Sequence, residues 1–287
     1  MSLENQRNRL RLALLPGMQF GEFYRLLKTF GLPEEIFLQS LSSLMTVIPQ
    51  TLAIEIKKGP SEEDEGKIEH LTHLLSVIPS SRLLIPTDQD YPFNFLSVTP
   101  SPLVVFAVGE VALLNRKSVT LVGSSHPSTE GEDTARAWAA SLAHKDINLV
   151  EGDHRGIEAI ALRSALKADP FSVTAISKDL LFESNNIQKL LFFVKKGLFL
   201  SPIANAKESW LMRQQLLVAC AQHFVVIEAS ARSRVLSLVK EASDMGRDIM
   251  AVPGSIHSPL SKGCHKLIRE GARLVESVDE ILAEMSN

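Results

Sequence analysis

The sequence predicts an α/β protein in which a small all-α region precedes a doubly wound, mostly parallel sheet. Three observations carry this reading. From Ser118 onward, short apolar runs alternate with amphipathic helical patterns, as βαβ crossover units covered on both faces require. Several of those runs end at glycine or small polar residues, where a buried strand would turn into a helix. Before about Lys58, by contrast, the apolar spacing is helical throughout.

Taken in order, Leu10, Leu14 and Leu15 have helical spacing before Pro16-Gly17, and Phe20, Phe23, Leu26 and Leu27 repeat it before Gly31. Further helices are expected over Glu34–Leu44, Gln50–Lys57 and Ile68–Ser76, with Gly59-Pro60 and the acidic run Glu62–Glu65 between the last two. The proline-rich stretch Leu83–Lys117 suits a connector carrying one or two short strands. Then come a strand at Ser118–Val122, a helix burying Ala135, Trp138, Ala139 and Leu142, a strand at Ile147–Val150 and a helix from Ile157 to Leu166. The alternation continues through strands at Phe171–Ile176, Leu198–Leu200, His223–Ala229 and Ile249–Val252. Helices are expected at Asn185–Lys196, Ser209–Ala221 and Val235–Met245, and a helix–strand–helix ends the chain. The implied domains are 1–78, helical, and 79–287, Rossmann-like.

The chain has 287 residues, 45% hydrophobic and 22% charged, which excludes wholesale disorder. No apolar run reaches the ~18 residues of a membrane span. The N-terminus lacks a signal-peptide pattern and there are only two cysteines, so a reduced, cytoplasmic protein is expected. A net charge of −3 excludes a polybasic binder, although Glu228 to Arg273 holds eight Lys/Arg against five Asp/Glu.

In such folds ligands gather where strand ends meet helix N-termini. The first candidate loop, Gly123-Ser124-Ser125-His126 onward, offers small residues and backbone amides; it fits phosphate or a plain tight turn equally. It matches neither GxGxxG nor GxxxxGK[S/T], so no nicotinamide or ATP cofactor is expected, and none other is assigned. The second, Glu151 to Glu158, carries Gly152, Asp153, His154, Arg155 and Gly156, with Arg155 either gripping phosphate or simply exposed. The third, Ala251 to Cys264, is long and shaped by Pro253-Gly254, a length that in a compact domain points to function. No catalytic residue is assigned, because Ser125 and His126 are adjacent and diverge. No metal is assigned either: Cys220/His223 with Cys264/His265 is poor chelating geometry.

Taken together, the segments LRLALLPG, YPxxL, VGSS, EGxxxGIE, VVIEA, GRDIMAVPGSIHSPLSKGCHKLIREGARLVES and the final DEIL resemble the DNA-processing protein A (DprA, Smf) family over nearly the whole chain. The resemblance implies an extended Rossmann domain behind a sterile-alpha-motif-like one. It also implies a non-enzymatic protein that binds incoming single-stranded DNA in the cytoplasm during natural transformation and hands it to a RecA-type recombinase. DNA-facing residues would then be Gly123, Ser124, Ser125, Gly152, Arg155, Gly156, Arg213, Ser233, Arg234, Gly254, Lys262 and Gly263, and a homodimer or partner contact would involve His265 and Ile268. No winged-helix domain is expected after Asn287.

The departures are selective. Ser125 stands where the family writes arginine in VGSR. Glu151 and Leu162 replace the serine and histidine of SGLAxGIDxxAH. Trp210 to Gln215 keeps one arginine, Arg213, of FPxRNR, and Gln215 replaces the last. Ser233–Val239 has lost the glycine and threonine of SGSLITA, and Phe182-Glu183 stands for Tyr-Pro. Each lost phosphate-binding arginine removes ~1.5–3 kcal/mol, and Glu151 is expected to repel phosphate. The expectation is therefore weakened DNA binding. One alternative is a degenerate paralogue serving as a protein-interaction module. A nucleotide-binding Rossmann enzyme is disfavoured by Pro253-Gly254-Ser255-Ile256, which has neither the second glycine nor the glutamate of PGGxGTxxE.

Overall fold

The computed structural model describes residues 3–86, 88–89, 91–153, 155–177, 179–183, 185–194, 197–203 and 209–286. Six helices come first: α1 (Leu3–Ala13), α2 (Phe20–Phe30), α3 (Pro33–Leu38), α4 (Leu41–Met45), α5 (Gln50–Lys58) and α6 (Glu62–Val77). Strands β1 (Ser81–Leu84), β2 (Val104–Gly109) and β3 (Ser118–Val122) follow, then α7 (Thr129–Ala143), β4 (Asn148–Gly152), α8 (Ile157–Ala168), β5 (Val173–Ile176), α9 (Asn186–Phe193) and β6 (Leu198–Ile203). The last part is α10 (Ser209–Cys220), β7 (His223–Val226), α11 (Val235–Asp244), β8 (Asp248–Ala251), α12 (Lys262–Arg269), β9 (Arg273–Leu274) and α13 (Val278–Glu284). Among the described residues no helix is long and apolar enough to cross a membrane.

The chain forms two compact units. The first comprises Met1–Val108, Lys178–Val194 and Leu200–Gln215. Its helices bury Leu10, Phe23, Leu26, Ile36, Leu44, Ile68 and Leu71, the apolar faces that the helical spacing demands. The single helix expected over Glu34–Leu44 is instead two. Ser40 breaks it, because its Oγ accepts from the Ser43 N–H at 3.1 Å and caps α4. The acidic run forms the first turn of α6, capped by Ser61, where carboxylates favour the helix dipole. Arg11 reaches one of them, Glu65, at 2.7 Å; this hydrogen bond raises the arginine's already high pKa. β1 and β2 pair antiparallel, Ser81 opposite Val108.

The second unit comprises Gly109–Ser177, Lys195–Phe199 and Leu216–Asn287. Six of its strands are parallel, in the order β5-β4-β3-β7-β8-β9. From β3 the chain steps to β4 and β5 through α7 and α8; from β7 it steps the other way, to β8 and β9, through α11 and α12. Right-handed crossovers in opposite directions put these helix pairs on opposite faces, so the unit is doubly wound and Rossmann-like. Every residue of β3 is buried. On one face Val119, Leu121, Leu149, Val225 and Met250 pack under Ala135, Ala139, Ile157, Ala161, Ile281 and Met285. The direction of travel reverses between β3 and β7, and that reversal sets where a ligand can meet the sheet.

Candidate nucleic-acid interface

At the carboxyl edge of this sheet, backbone bonds tie the loops in pairs, that after β3 to that after β4 and that after β7 to that after β8. The Ile157 N–H, at the start of α8, donates to the Ser124 carbonyl at 3.1 Å. The Ala229 N–H donates to the Leu260 carbonyl at 2.7 Å, and the Gly263 N–H to the Ala229 carbonyl at 2.7 Å. The three glycine-bearing loops singled out in the sequence therefore share one edge.

Gly156 makes the first of these ties possible. Its φ of +75° is open only to glycine, and a Cβ there would lie 2.1 Å from the Ser124 carbonyl oxygen. In the third loop the Lys262 ammonium donates to the Ile256 carbonyl, and the His265 Nε2 lies 3.0 Å from the Gly254 carbonyl, so both side chains brace the loop from α12.

Around this edge Ser125, Arg155, Arg234, Gly254 and Lys262 are exposed; Ser124, Gly156, Ser233, His265 and Ile268 are half-buried. Gly152 and Gly263 are buried and shape the turns from within. Arg232, also exposed, adds a fourth cation to Arg155, Arg234 and Lys262. Ser125 Oγ lies 3.1 Å from His126 Nδ1. Arg213 and Gln215 belong to the first unit, and both are buried, at 2% and 1% exposure; the Arg213 guanidinium stacks 5.5 Å from the Trp210 ring centre. His154 lies outside the described residues.

Glu151 departs from expectation. It is fully buried, and its Oε1 accepts the Leu121 N–H at 2.9 Å, so its charge is spent inside the sheet rather than beside the loops. Two carboxylates do reach the edge: Asp153, exposed in the loop after β4, and Glu228, just past β7. The Glu228 Oε2 accepts the Ser128 N–H at 2.9 Å and its Oε1 the Ser128 hydroxyl at 2.5 Å, while Ser128 Oγ in turn caps α7 by accepting from the Gly131 N–H at 3.1 Å. Glu228 was not legible as a site residue; an acid two residues past a central strand, facing a helix N-terminus, was the available signal.

The paired Cys/His motifs are pulled apart. Cys220 bonds through its carbonyl to Ser118 at the amino edge of the sheet, whereas Cys264 Sγ lies 3.6 Å from the Val226 carbonyl at the carboxyl edge. Burial pushes the Cys264 thiol up to about 11, and the Cys220 thiol higher still, so neither is a nucleophile at neutral pH. A concavity of about 750 Å³ opens at the amino end of β8, lined by Lys240, Arg247, Lys266 and Arg273 but equally by Asp244, Asp248, Glu270 and Glu284. Its charged lining is balanced, with four residues of each sign.

Comparison with known proteins agrees with this fold. A model of the family described as DNA recombination-mediator protein A matches residues 82–286. The Streptococcus pneumoniae DNA processing protein DprA is 29% identical over 221 residues, covering 75% of this chain and 77% of its own. A Mycobacterium tuberculosis protein carrying the DprA name is 30% identical over 70% of this chain, which spans 57% of that relative's length; for Smf of Escherichia coli the figures are 29%, 70% and 56%. Among solved structures, S. pneumoniae DprA aligns with a TM-score of 0.72 at 23% identity, covering 99% of this chain and 98% of its own. A Helicobacter pylori DNA processing protein A, described for its single-stranded DNA binding mode, aligns at 0.59 and 21%, covering 72% and 96%. At these identities the structural likeness is one of fold.

Proposed function

The chain belongs to the DNA recombination-mediator protein A family, and from that membership we propose that it binds single-stranded DNA and acts, without catalysis, in DNA uptake and RecA-dependent recombination. The observation that carries the proposal is the carboxyl edge itself. Loops from four adjacent strands are tied there in pairs by backbone bonds and carry four exposed cations, Arg155, Arg232, Arg234 and Lys262. Exposed cations beside helix N-termini suit a phosphate chain, which needs several moderate contacts rather than one deep pocket. Direct roles fall to Ser124, Ser125, Arg155, Ser233, Arg234 and Lys262; Gly123, Gly156 and Gly254 let the backbone approach, and the buried Gly152 and Gly263 shape the turns beneath them. Arg213, buried against Trp210, would act through its unit's fold. The protein works in the cytoplasm, as a homodimer that pairs through the α12 surface around His265 and Ile268, and it passes its DNA to a RecA-type recombinase.

Fluorescence anisotropy with labelled oligo-dT at low and moderate salt tests the central claim. Binding should be salt-sensitive and weaker than in relatives that keep arginine at the positions of Ser125 and Gln215. No salt-sensitive binding at tens of micromolar protein would overturn it.

A second reading is favoured by those two replacements: a protein-interaction module that reaches DNA only beside an intact family member. Pull-down against such a partner separates the readings, since DNA binding recovered only in the mixed complex selects the second.

A further inference from the structure

In a doubly wound sheet the default anion site is the crevice where the direction of travel reverses, beneath a helix N-terminus. Here that is the space between the ends of β3 and β7, under α7. The ingredients are present: a 15-residue helix, opening amides at Thr129 and Glu130, and the N–H and hydroxyl of Ser128. The space is already filled. The Glu228 carboxylate takes both Ser128 donors, at 2.9 and 2.5 Å, from a position 100 residues later in the chain. The surrounding backbone is fitted to it: a Cβ on Gly131 would lie 2.5 Å from the Glu228 carboxyl carbon.

We infer that Glu228 is a specificity-determining residue, a built-in anion that occupies the phosphate place at the N-terminus of α7. It thereby denies the crevice to inorganic phosphate and to the terminal phosphate of a mononucleotide. Glu228 and phosphate compete for the same donors. Both Ser128 donors are committed to a group of the ligand's own charge, which is covalently tethered and so has no translational freedom to lose. A phosphate would have to displace the carboxylate and leave it close by, charge against charge. A polyanion meeting this edge is left with the outer loops. The inference goes beyond the proposed function and survives its failure, because its readout is phosphate rather than DNA.

The test is isothermal titration calorimetry of the full chain with inorganic phosphate, against chloride of matched ionic strength at neutral pH, for wild type, Glu228→Gln and Glu228→Ala. Wild type should show no phosphate-specific heat. The glutamine variant removes the charge and leaves one acceptor oxygen while filling the same volume, and it should bind phosphate more tightly than wild type but less tightly than alanine. The alanine variant opens the place and frees both Ser128 donors, and should bind phosphate at least ten times more tightly than wild type. The inference is overturned if wild type already binds as tightly as the alanine variant. It is equally overturned if glutamine, with the charge gone, gains nothing over wild type, or if a folded alanine variant gains nothing. Should the alanine variant not fold, the amide resonances of Ser128, Thr129, Glu130 and Gly131 in wild type decide. They should stay still through a phosphate titration, and their movement would sink the idea.

Discussion

Replacing Gly156 by alanine isolates the tie between the loops after β3 and β4. Its φ of +75° and ψ of −132° lie where an L-residue pays ~1–3 kcal/mol. The new Cβ would start 2.1 Å from the Ser124 carbonyl oxygen and 2.7 Å from Ser125 Cα and C, so the loop must retreat by about 1 Å to reach contact distance. That retreat stretches the 3.1 Å bond from the Ile157 N–H and leaves a donor on a fully buried residue unpaired, worth ~1–3 kcal/mol more. The sum is roughly 2–6 kcal/mol, a large share of a domain's ~5–15. Gly246→Ala supplies the control within the same unit: its φ is +72°, but no atom lies within 4 Å, so only the backbone cost of ~1–2 kcal/mol applies. Urea unfolding should be followed by fluorescence in a Trp210→Phe background, which leaves Trp138, packed against the second unit's core, as the reporter. If Gly156→Ala unfolds within about 0.5 kcal/mol of Gly246→Ala at unchanged slope, the account of this edge as loops braced in pairs is wrong.

Four other outcomes are expected. Arg155→Ala and Lys262→Ala should each weaken oligo-dT binding and lower the slope of log affinity against log salt by about 1, measured by anisotropy across a salt series. Thr174→Val should destabilise the second unit by about 1–3 kcal/mol in urea unfolding, because it removes the donor held 2.8 Å from the buried Asn148 Oδ1. The thiols should be silent to a disulfide reagent in the native protein at neutral pH and react only on unfolding. Since the folded Cys264 thiol ionises near 11 and an unfolded one near 9.0, the unfolded state loses its proton first. The stability this burial contributes is complete below pH 9.0 and drains away as pH rises toward about 11. Cys264→Ala should flatten that part of a stability–pH profile.

How much was legible in the sequence depended on the range of the interaction. The strands were visible because they are buried on both faces, and a run such as Ser118–Val122 needs no alternation to declare itself. The helices of the second unit kept their 3.6-residue stripe because one face meets the sheet. The division of α3 from α4 was missed because a single serine cap overrode a favourable apolar spacing. The fate of the charged residues was hidden more deeply. Glu151 bonds a backbone amide 30 positions earlier, Glu228 a serine 100 positions earlier, and Arg213 is buried in its own unit. Spacing placed these residues near strand or helix ends correctly. It carried no information on whether a side chain turned outward to solvent or inward to the protein, which is what decides the electrostatics of the edge.

α13 has a bearing on how the protein is made. Ile281 and Met285 sit in the same core as Val119 and Leu121, and the Lys117 ammonium donates to the Met285 carbonyl at 3.0 Å, 168 residues away. A ribosome adding ~5–20 residues per second emits that closing helix roughly 8–34 seconds after the first central strand. Until then α7 and α8 alone pack on that face of the sheet, so the core around Val119 and Leu121 is completed only when Ile281 and Met285 arrive.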